Sequence, residues 1–394
     1  MFPAPAGLAK GISCPDTGHL TAAVLSCAGP PGQMLLYLHI PFCHRVCPYC
    51  SFYKHTPGDT PIGAFVDSLL DEARGRIAAL EEMPRTLYLG GGTPSMLSPT
   101  HLRKLFGGLG EIFDLRSLDE VTMEANPATF DVAKARLFRE LGVTRVSLGI
   151  QSFAPHVLET LGREHDPAQA AESVKVLREA GMPAVNIDLM FSIPGLSHDD
   201  WRRTVETAIA LKPDHISAYN LTYEEDTAFF EGLKRGDMDA DEDRDATQFF
   251  LAHDLLSDAG FEHYETSNYA KPGFRSSHNR GYWRGEDYLG LGPSAVSTLG
   301  GVRTKNLADT AGYVRMINSL GNALVESESL DAEQRRLERI ALMLRTEEGV
   351  PLVLVDGTAV PRLLEQGLAQ VRGDSLVLTR EGSPLVDPIA AELV

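Results

Sequence analysis

Residues 35–55 read LLYLHIPFCHRVCPYCSFYKH, and this stretch decides how the rest of the chain is interpreted. An apolar run typical of a β-strand leads directly into Cys43, Cys47 and Cys50, spaced C-x3-C-x2-C. Three thiolates this close together can each bind one iron of a four-iron cluster. The fourth iron then lacks a protein ligand and can accept one from a small molecule. The spacing therefore indicates an iron–sulfur centre with one open iron.

Zinc is the alternative occupant of such a site. A closed structural zinc site needs four ligands, so zinc would have to recruit a nearby histidine: His39, His44 or His55. A disulfide needs paired cysteines in an oxidising compartment. The two remaining cysteines, Cys14 and Cys27, lie in the N-terminal stretch. We therefore expect no disulfide and treat these two cysteines as incidental, while zinc stays open as an alternative to iron.

The composition limits the class of protein. The chain has 394 residues, 43% of them hydrophobic, which suffices for one large domain and a smaller one. No apolar run approaches the roughly 20 residues of a membrane-spanning helix, and the N-terminus lacks the pattern of a secretory signal. The formal net charge of −18 argues against nucleic acid as the main partner. We expect a cytoplasmic protein without a membrane span.

From residue 35 onward, short apolar strands alternate with helix-length segments. The strand candidates are 35–42, 86–91, 120–126, 145–151, 184–192 and 215–221, and the helix candidates between them include 61–80, 99–113, 130–141, 167–180 and 199–211. Repeated strand–helix units predict an α/β fold with a parallel sheet and right-handed crossovers. Such a sheet can be open and doubly wound, or curved into a barrel of six to eight units.

Polar residues near the ends of three strands favour the barrel. Alternation within each strand places Glu124, Gln151 and Asp188 on its polar face, toward its carboxyl end. Parallel barrels have their active sites at that end of the strands. A glycine run at 90–92, followed by Thr93 and Pro94, comes directly after the second strand and would let the backbone approach a small polar ligand. These features predict one shared polar pocket.

After residue 222 the sequence pattern differs from the regular strand–helix alternation. A helix pattern at 241–259 is followed by a segment, predicted to be a loop, that contains His278, Asn279, Tyr282 and Trp283. From spacing alone, the simpler interpretation of this histidine is a structural one that packs beside aromatic rings.

The last part of the chain predicts a second, smaller domain. Asp331 and Gln334 can form a capping box at the start of a helix, and 369–372 with 375–379 read as a hairpin. Helices followed by a small hairpin suggest a winged-helix shape. We reject DNA binding, because residues 305–394 carry nine Lys and Arg against fourteen Asp and Glu.

With its flanking residues, the cysteine motif resembles the signature of the radical S-adenosylmethionine (SAM) superfamily. In that superfamily SAM chelates the open iron of a [4Fe–4S] cluster, and a glycine motif lies against its amino group. The resemblance implies that Cys43, Cys47 and Cys50 hold the cluster. The residues that it implies around SAM are Tyr37, Gly91, Gly92, Thr93, Glu124, Gln151, Arg163 and Asp188. At 191–192 the superfamily commonly has an aromatic residue and glycine, where this chain has Phe and Ser.

The whole set of motifs is similar to the oxygen-independent coproporphyrinogen III oxidase branch. The decarboxylase of that branch has a fourth cysteine where this chain has Phe52. The HemW branch, regarded as heme chaperones, instead carries C-x-F and H-N-x-x-Y-W, which match Cys50-Ser51-Phe52 and the segment 278–283. This resemblance implies that His278 ligates heme iron while aromatic rings pack on the macrocycle. The implied heme-site residues are His278, Asn279, Tyr282 and Trp283.

The resemblance also implies the domain plan. We expect a disordered tail at 1–33, a partial (β/α)6 radical SAM barrel with the heme-motif extension at 34–302, and a smaller α+β winged-helix-like domain of the HemW type at 303–394. The function that follows is a cytoplasmic heme chaperone that delivers heme to an acceptor hemoprotein through a transient contact at the membrane. Two enzymatic alternatives remain open: radical decarboxylation of coproporphyrinogen III, and radical SAM methyl transfer with heme degradation.

Overall fold

Six parallel strands form the centre of the protein. The computed structural model describes residues 34–58 and 60–394, and in it each of these strands pairs with the next one along the chain. They are β1 (Met34–Ile40), β2 (Pro84–Gly91), β3 (Glu120–Ala125), β4 (Arg145–Gln151), β5 (Ala184–Phe191) and β6 (His215–Asn220). Each begins and ends within two residues of a predicted strand, so the strand predictions are confirmed. The predicted tail at 1–33 lies outside the described residues.

Helices follow the strands in turn, as the alternation predicted. They are α1 (Ile62–Ile77), α2 (Pro99–Ile112), α3 (Val132–Glu140), α4 (Pro155–Thr160), α5 (Pro167–Glu179) and α6 (His198–Ala210). Capping residues next to the first turn determine where several of these helices begin. At α5, for example, the side chain of Asp166 accepts a hydrogen bond from the backbone of Gln169, whose side chain accepts one from the backbone of Asp166. Each of β1 to β5 is thus followed by a helix, and β4 is followed by two, of which the sequence analysis missed α4.

Each strand separates an apolar outer face from a polar inner face. In β1, Leu36, Leu38 and Ile40 belong to the main hydrophobic core, whereas Tyr37 and His39 alternate with them and face the other way. The same alternation in β3, β4 and β5 gives an apolar layer under the helices and a polar interior. This is the partial (β/α)6 barrel that the strand patterns favoured.

The sheet continues on both sides of the six parallel strands. Beside β1 it adds β9 (Tyr288–Leu291), β10 (Val296–Leu299), β11 (Val302–Asn306) and β12 (Leu324–Ser329), and beside β6 it adds β8 (Asn268–Ala270) and β7 (Glu262–Glu265). Four further helices accompany these strands: α7 (Ala228–Arg235), α8 (Glu242–Asp258), α9 (Ser277–Trp283) and α10 (Thr310–Leu320). Because β11 and β12 belong to the large sheet, we propose that the barrel domain extends to about residue 330.

A smaller unit follows with its own core. It consists of α11 (Ala332–Met343), β13 (Val350–Pro351), α12 (Val360–Glu365), β14 (Ala369–Arg372), β15 (Ser375–Leu378) and α13 (Val386–Glu392). Its three strands pair in the order β13-β15-β14, and a separate apolar cluster joins them to the helices, from Ile340 to Leu393. The predicted hairpin and the capping box of Asp331 with Gln334 are both confirmed.

One local prediction is wrong. The segment with His278, Asn279, Tyr282 and Trp283 was expected to be a loop, but it forms α9, whose first turn is capped by the side chain of Ser276. A seven-residue helix is too short for hydrophobic periodicity to reveal it. Within residues 34–58 and 60–394, no helix is long and apolar enough to cross a membrane.

Candidate functional site

The three cysteines lie in one loop between β1 and α1, and each is partly exposed. The hydroxyl of Thr93 lies 3.6 Å from the sulfur of Cys43, and a guanidinium nitrogen of Arg163 lies 3.7 Å from the sulfur of Cys47. Burial raises the pKa of the Cys43 thiol to about 11. Metal binding requires the thiolate, so it would release a proton here.

The three thiols match the protein donor set of an iron–sulfur cluster. In the described part of the chain, no three His, Cys, Asp or Glu side chains are grouped to hold a single metal ion. A cluster makes a different demand, since each thiolate binds a separate iron. Three cysteines in one loop, with a donor group beside Cys43 and a cation beside Cys47, meet that demand.

Buried hydrogen bonds hold this loop on the barrel. The imidazole of His39 bonds to the hydroxyl of Tyr37 at 2.9 Å and to the carbonyl of Tyr53 at 2.7 Å. Further along, Tyr53 and His55 both contact the hydroxyl of Thr310 at the start of α10, at 3.1 and 2.7 Å. The loop is therefore fixed to a strand inside the barrel and to a helix outside it, which keeps its cysteines in place.

The glycine motif lies directly against the cysteine loop. The backbone amide of Gly92 donates to the carbonyl of Ile40 at 2.8 Å, and that of Thr93 donates to the carbonyl of Phe42 at 2.7 Å. A Cβ on Gly92 would come within 2.8 Å of the Ile40 carbonyl oxygen, and Gly91 has a φ of +104°. Both positions therefore require glycine, and the approach of this backbone to a small polar ligand stays a prediction.

Two half-buried carboxylates, Glu124 on β3 and Asp188 on β5, lie on either side of β4. Glu124 accepts hydrogen bonds from the Tyr88 hydroxyl at 2.8 Å and from the Gly91 amide at 3.1 Å. Asp188 accepts from the hydroxyl of Ser147 at 2.9 Å and from the side chain of Asn186 at 2.7 Å. Burial raises the pKa of both carboxyl groups. Carboxylate oxygens can accept hydrogen bonds from the hydroxyl or ammonium groups of a ligand.

Arg163 connects the cluster loop to the strand ends. Its guanidinium donates to the side-chain oxygen of Asn126 at 2.5 Å and to the carbonyl of Gly149 at 2.6 Å. Asn126 in turn donates to the hydroxyl of Thr93 at 2.9 Å. This arrangement places a cation beside Cys47, where it can pair with a ligand carboxylate.

Gln151 ends β4 in an unusual state. Its φ is +69°, a left-handed conformation that costs a non-glycine residue free energy. Its side-chain oxygen is buried and has no hydrogen-bond partner among the described residues. Buried polar atoms are normally satisfied, so this oxygen suits a donor from a ligand. The structure thus brings together the cluster loop, the glycine motif, Glu124, Gln151, Arg163 and Asp188 around the carboxyl ends of the strands.

The residues of the H-N-x-x-Y-W motif lie near the opposite end of the strands. The His278 imidazole is 1% exposed and bonds through Nδ1 to the hydroxyl of Thr86 at 2.8 Å. Its ring stacks on Tyr88 at 4.9 Å and meets the edge of Tyr282 at 4.9 Å. Glu120, at the start of β3, accepts hydrogen bonds from the backbone amides of Ser277 and His278. These contacts place α9 beside the amino ends of β2 and β3.

His278 has the state of an unused ligand. Burial lowers its pKa to about 3, so it is neutral at physiological pH. Its Nε2 atom is buried and lacks a hydrogen-bond partner among the described residues, as does the hydroxyl of Tyr282. Trp283 is buried and interacts with the carboxyl group of Glu265, while Asn279 is partly exposed. In this motif, His278 therefore offers a buried, neutral ring nitrogen without a hydrogen-bond partner among the described residues.

The outer face of α9 is bound to the smaller unit. Glu348 accepts from Arg284 through both carboxylate oxygens, at 2.5 and 2.8 Å, and from Arg280 at 2.6 Å. The two arginines hold the pKa of Glu348 at about 2. Glu347 forms a second pair of contacts, with Arg275 just before the helix. The smaller unit thus holds α9 in place from outside.

The sequence analysis missed the residues that connect these parts. Tyr88 and Asn126 were not predicted as site residues, although Tyr88 lies on β2 near the glycine motif and Asn126 directly follows β3, two residues after Glu124. Strict alternation with Glu124 and with the glycine motif could have indicated them. Glu120 and Glu348 had no comparable signal, because their partners are far away in the sequence.

The fold and the site define a radical SAM protein. The model of the Radical SAM superfamily matches residues 37–208. Coproporphyrinogen III oxidase (HemN) from Escherichia coli has the same fold, with a TM-score of 0.79 over 95% of this chain and 93% of that one, at 22% identity.

Within that class, the chain belongs to the HemW family. The protein named heme chaperone HemW in Mycobacterium tuberculosis is 37% identical over 92% of this chain and 96% of its own length. Those of Lactococcus lactis and Escherichia coli are 36% and 35% identical over 80% and 82% of this chain, and over 82% and 85% of their own lengths.

Proposed function

We propose that this protein is a heme chaperone: it binds heme through His278 and passes it to an acceptor hemoprotein. The observation that carries the proposal is the neutral, buried imidazole whose Nε2 has no partner among the described residues. A lone pair in that state can ligate heme iron at physiological pH without first losing a proton. The relatives in three bacteria that are named heme chaperone HemW support the same assignment.

The second part of the proposal is a [4Fe–4S] cluster with SAM. Cys43, Cys47 and Cys50 would supply one thiolate to each of three irons, and SAM would occupy the fourth. When bound, this pair supplies one-electron chemistry. Arg163 would pair with the SAM carboxylate, while Glu124, Gln151 and Asp188 would accept from its hydroxyl or ammonium groups. The close backbone at Gly91 and Gly92 and the hydroxyl of Thr93 would complete the site, with Tyr37 fixing the strand beneath it.

Heme binding at His278 requires α9 to move. An imidazole that is 1% exposed cannot meet a flat macrocycle while its ring is stacked on Tyr88. A shift of α9 away from β2 would uncover Nε2, together with the rings of Tyr282 and Trp283 as packing surfaces. Asn279, already partly exposed, would then face the ligand as a hydrogen-bonding group. Because Glu348 of the smaller unit binds α9, these contacts must break or shift before α9 can move.

The experiment titrates ferric heme into anaerobically purified, cluster-loaded protein. His278→Ala should change the Soret band and weaken heme binding while cluster content and SAM affinity stay unchanged. His263→Ala is the matched control, because His263 is also buried and stacked on a tyrosine, at 4.5 Å. A Soret band and affinity equal to those of the unmodified protein in His278→Ala would refute the heme assignment and return His278 to a structural role.

The rival function is decarboxylation of coproporphyrinogen III. Phe52 stands where that enzyme has its fourth cysteine, and its ring is 39% exposed in the cluster loop. We expect coproporphyrinogen III, SAM and a reductant to give no protoporphyrinogen IX, measured by porphyrin fluorescence after oxidation. Robust turnover would favour the decarboxylase. Product analysis of the same incubation with heme would reveal methyl transfer to heme or its degradation.

The third part of the proposal concerns the protein that accepts the heme. We propose that loading occurs in the cytoplasm, where cysteines stay reduced, and that heme passes to a membrane hemoprotein through a transient contact. Heme-loaded protein mixed with vesicles that carry an apo-hemoprotein should lose its Soret signal to the vesicle fraction. Heme retained by the protein under those conditions would contradict delivery.

A further inference from the structure

Tyr88 touches both ends of the barrel interior. Its hydroxyl donates to Glu124 at 2.8 Å, and its ring stacks on His278 at 4.9 Å with an angle of 27° between the planes. Glu124 belongs to the group of residues at the carboxyl ends of the strands, and His278 lies beside their amino ends. A single half-buried side chain therefore separates the proposed SAM site from the proposed heme ligand.

The two contacts of Tyr88 depend on each other. The hydrogen bond to Glu124 fixes the phenol at its tip, which holds the ring flat against the imidazole. Glu124 already accepts two hydrogen bonds, from Tyr88 and from the Gly91 amide. A ligand group that donates to the same carboxylate adds a third donor and weakens the bond to Tyr88. The ring then gains freedom to leave His278, so that uncovering Nε2 costs less free energy.

We infer that Tyr88 is a positioning residue that couples SAM occupancy to heme binding, with SAM making heme bind more tightly. This inference rests on the proposed function, because it takes Glu124 as a SAM contact and His278 as the heme ligand. Coupling between two sites is reciprocal, so heme also tightens SAM by the same factor. SAM tightens heme binding, and does not weaken it, because SAM weakens the hydrogen bond between Tyr88 and Glu124 that keeps the ring on His278.

The test measures the heme dissociation constant with and without saturating SAM. The protein carries its oxidised cluster and no reductant is present, so that SAM is not cleaved. In the unmodified protein, SAM should tighten heme binding by about 5-fold or more, the lower end of typical couplings. Tyr88→Phe keeps the stacked ring and removes only the bond to Glu124. Its heme affinity without SAM should rise to the SAM-bound value, and added SAM should then change it less than about 2-fold.

Tyr313→Phe is the matched control. Tyr313 is fully buried and donates its hydroxyl to Glu72 at 2.6 Å, so this variant also removes one buried tyrosine–glutamate bond, between α10 and α1. It should keep the SAM effect of the unmodified protein. An equal loss of the SAM effect in both variants would assign it to general destabilisation and overturn the role of Tyr88.

A second readout needs no heme. Hydrogen exchange of the α9 amides should quicken on addition of SAM in the unmodified protein, and should be fast from the start in Tyr88→Phe. If these amides respond in this way but heme does not bind, the proposed function fails, and only the effect of SAM on α9 through Tyr88 stands. If SAM changes neither their exchange nor heme affinity, or if Tyr88→Phe keeps the full SAM effect, the inference is wrong.

Discussion

Glu348→Gln should loosen α9 without altering the barrel. The carboxylate of Glu348 accepts both N–H groups of Arg284 and one of Arg280, all within 2.8 Å. These contacts are the charged link between the smaller unit and the outer face of the helix that carries His278. Glutamine keeps the shape of the side chain and one acceptor oxygen, but it removes the charge. Local opening of α9 should therefore become more frequent.

The size of the effect follows from the pKa of Glu348. The two arginines hold it at about 2, roughly 2.5 units below the usual value for glutamate, which corresponds to about 3.4 kcal/mol at most. The side chain is 32% exposed, and water screens part of the attraction. We therefore expect about 1 to 2 kcal/mol, which predicts roughly 5- to 30-fold faster exchange of the α9 amides at neutral pH.

The same pKa fixes the direction of the pH dependence. A carboxyl group whose folded-state pKa is depressed stabilises the folded protein above its unfolded pKa, and this contribution is lost as the pH falls through the folded value. The difference in α9 stability between the unmodified protein and Glu348→Gln should have its full size at pH 7 and should decline below about pH 4.5. At pH 3 about 40% of it should remain.

Hydrogen exchange of α9, followed by mass spectrometry, measures this difference directly. Glu333→Gln is the matched control, because Glu333 also binds an arginine through both oxygens, but within α11. That variant should leave α9 unchanged. Unchanged exchange in Glu348→Gln, or a difference that stays constant from pH 7 to pH 3, would refute the reasoning.

Two further predictions concern the cluster and the barrel. Simultaneous replacement of Cys43, Cys47 and Cys50 by alanine should abolish the iron and sulfide content of anaerobically reconstituted protein; unchanged content, or zinc in the native protein, would refute cluster binding. Ser192→Gly should raise the free energy of unfolding by about 1 kcal/mol in urea titrations, because Ser192 has a φ of +63° that glycine adopts without strain. An unchanged or lower value would show that its backbone is not strained.

Ser192 has a left-handed backbone conformation that a contact distant in the sequence holds in place. The superfamily commonly has glycine at this position, and the chain has kept the left-handed conformation with serine. The amide of Ser192 donates to the side chain of Gln248 at 2.7 Å, a contact that holds the turn. Gln248 is 56 residues away and lies on α8, so no local pattern could have predicted this compensation.

The sequence by itself predicted the strand–helix alternation of the barrel and the residues that lie at its carboxyl end. Alternation with a period of two separated the polar face of each strand from its apolar face, and capping residues such as Asp166 set the helix starts. Cysteine spacing and the glycine motif are equally local, since each works through neighbouring residues. For this reason Cys43, Gly92 and Glu124 could be predicted as site residues from their positions alone.

Tertiary structure decided where His278, the proposed heme ligand, lies and what holds it. His278 meets Thr86 and Tyr88 across about half of the chain, and Arg284 meets Glu348 across 64 residues. Such pairs are fixed by the packing of α9 between the barrel and the smaller unit, and periodicity carries no information about them. The same packing buries the imidazole and leaves its Nε2 without a partner among the described residues. Whether a histidine in a short motif is a structural residue or an available ligand depends on that environment, which exists only once distant segments are folded together.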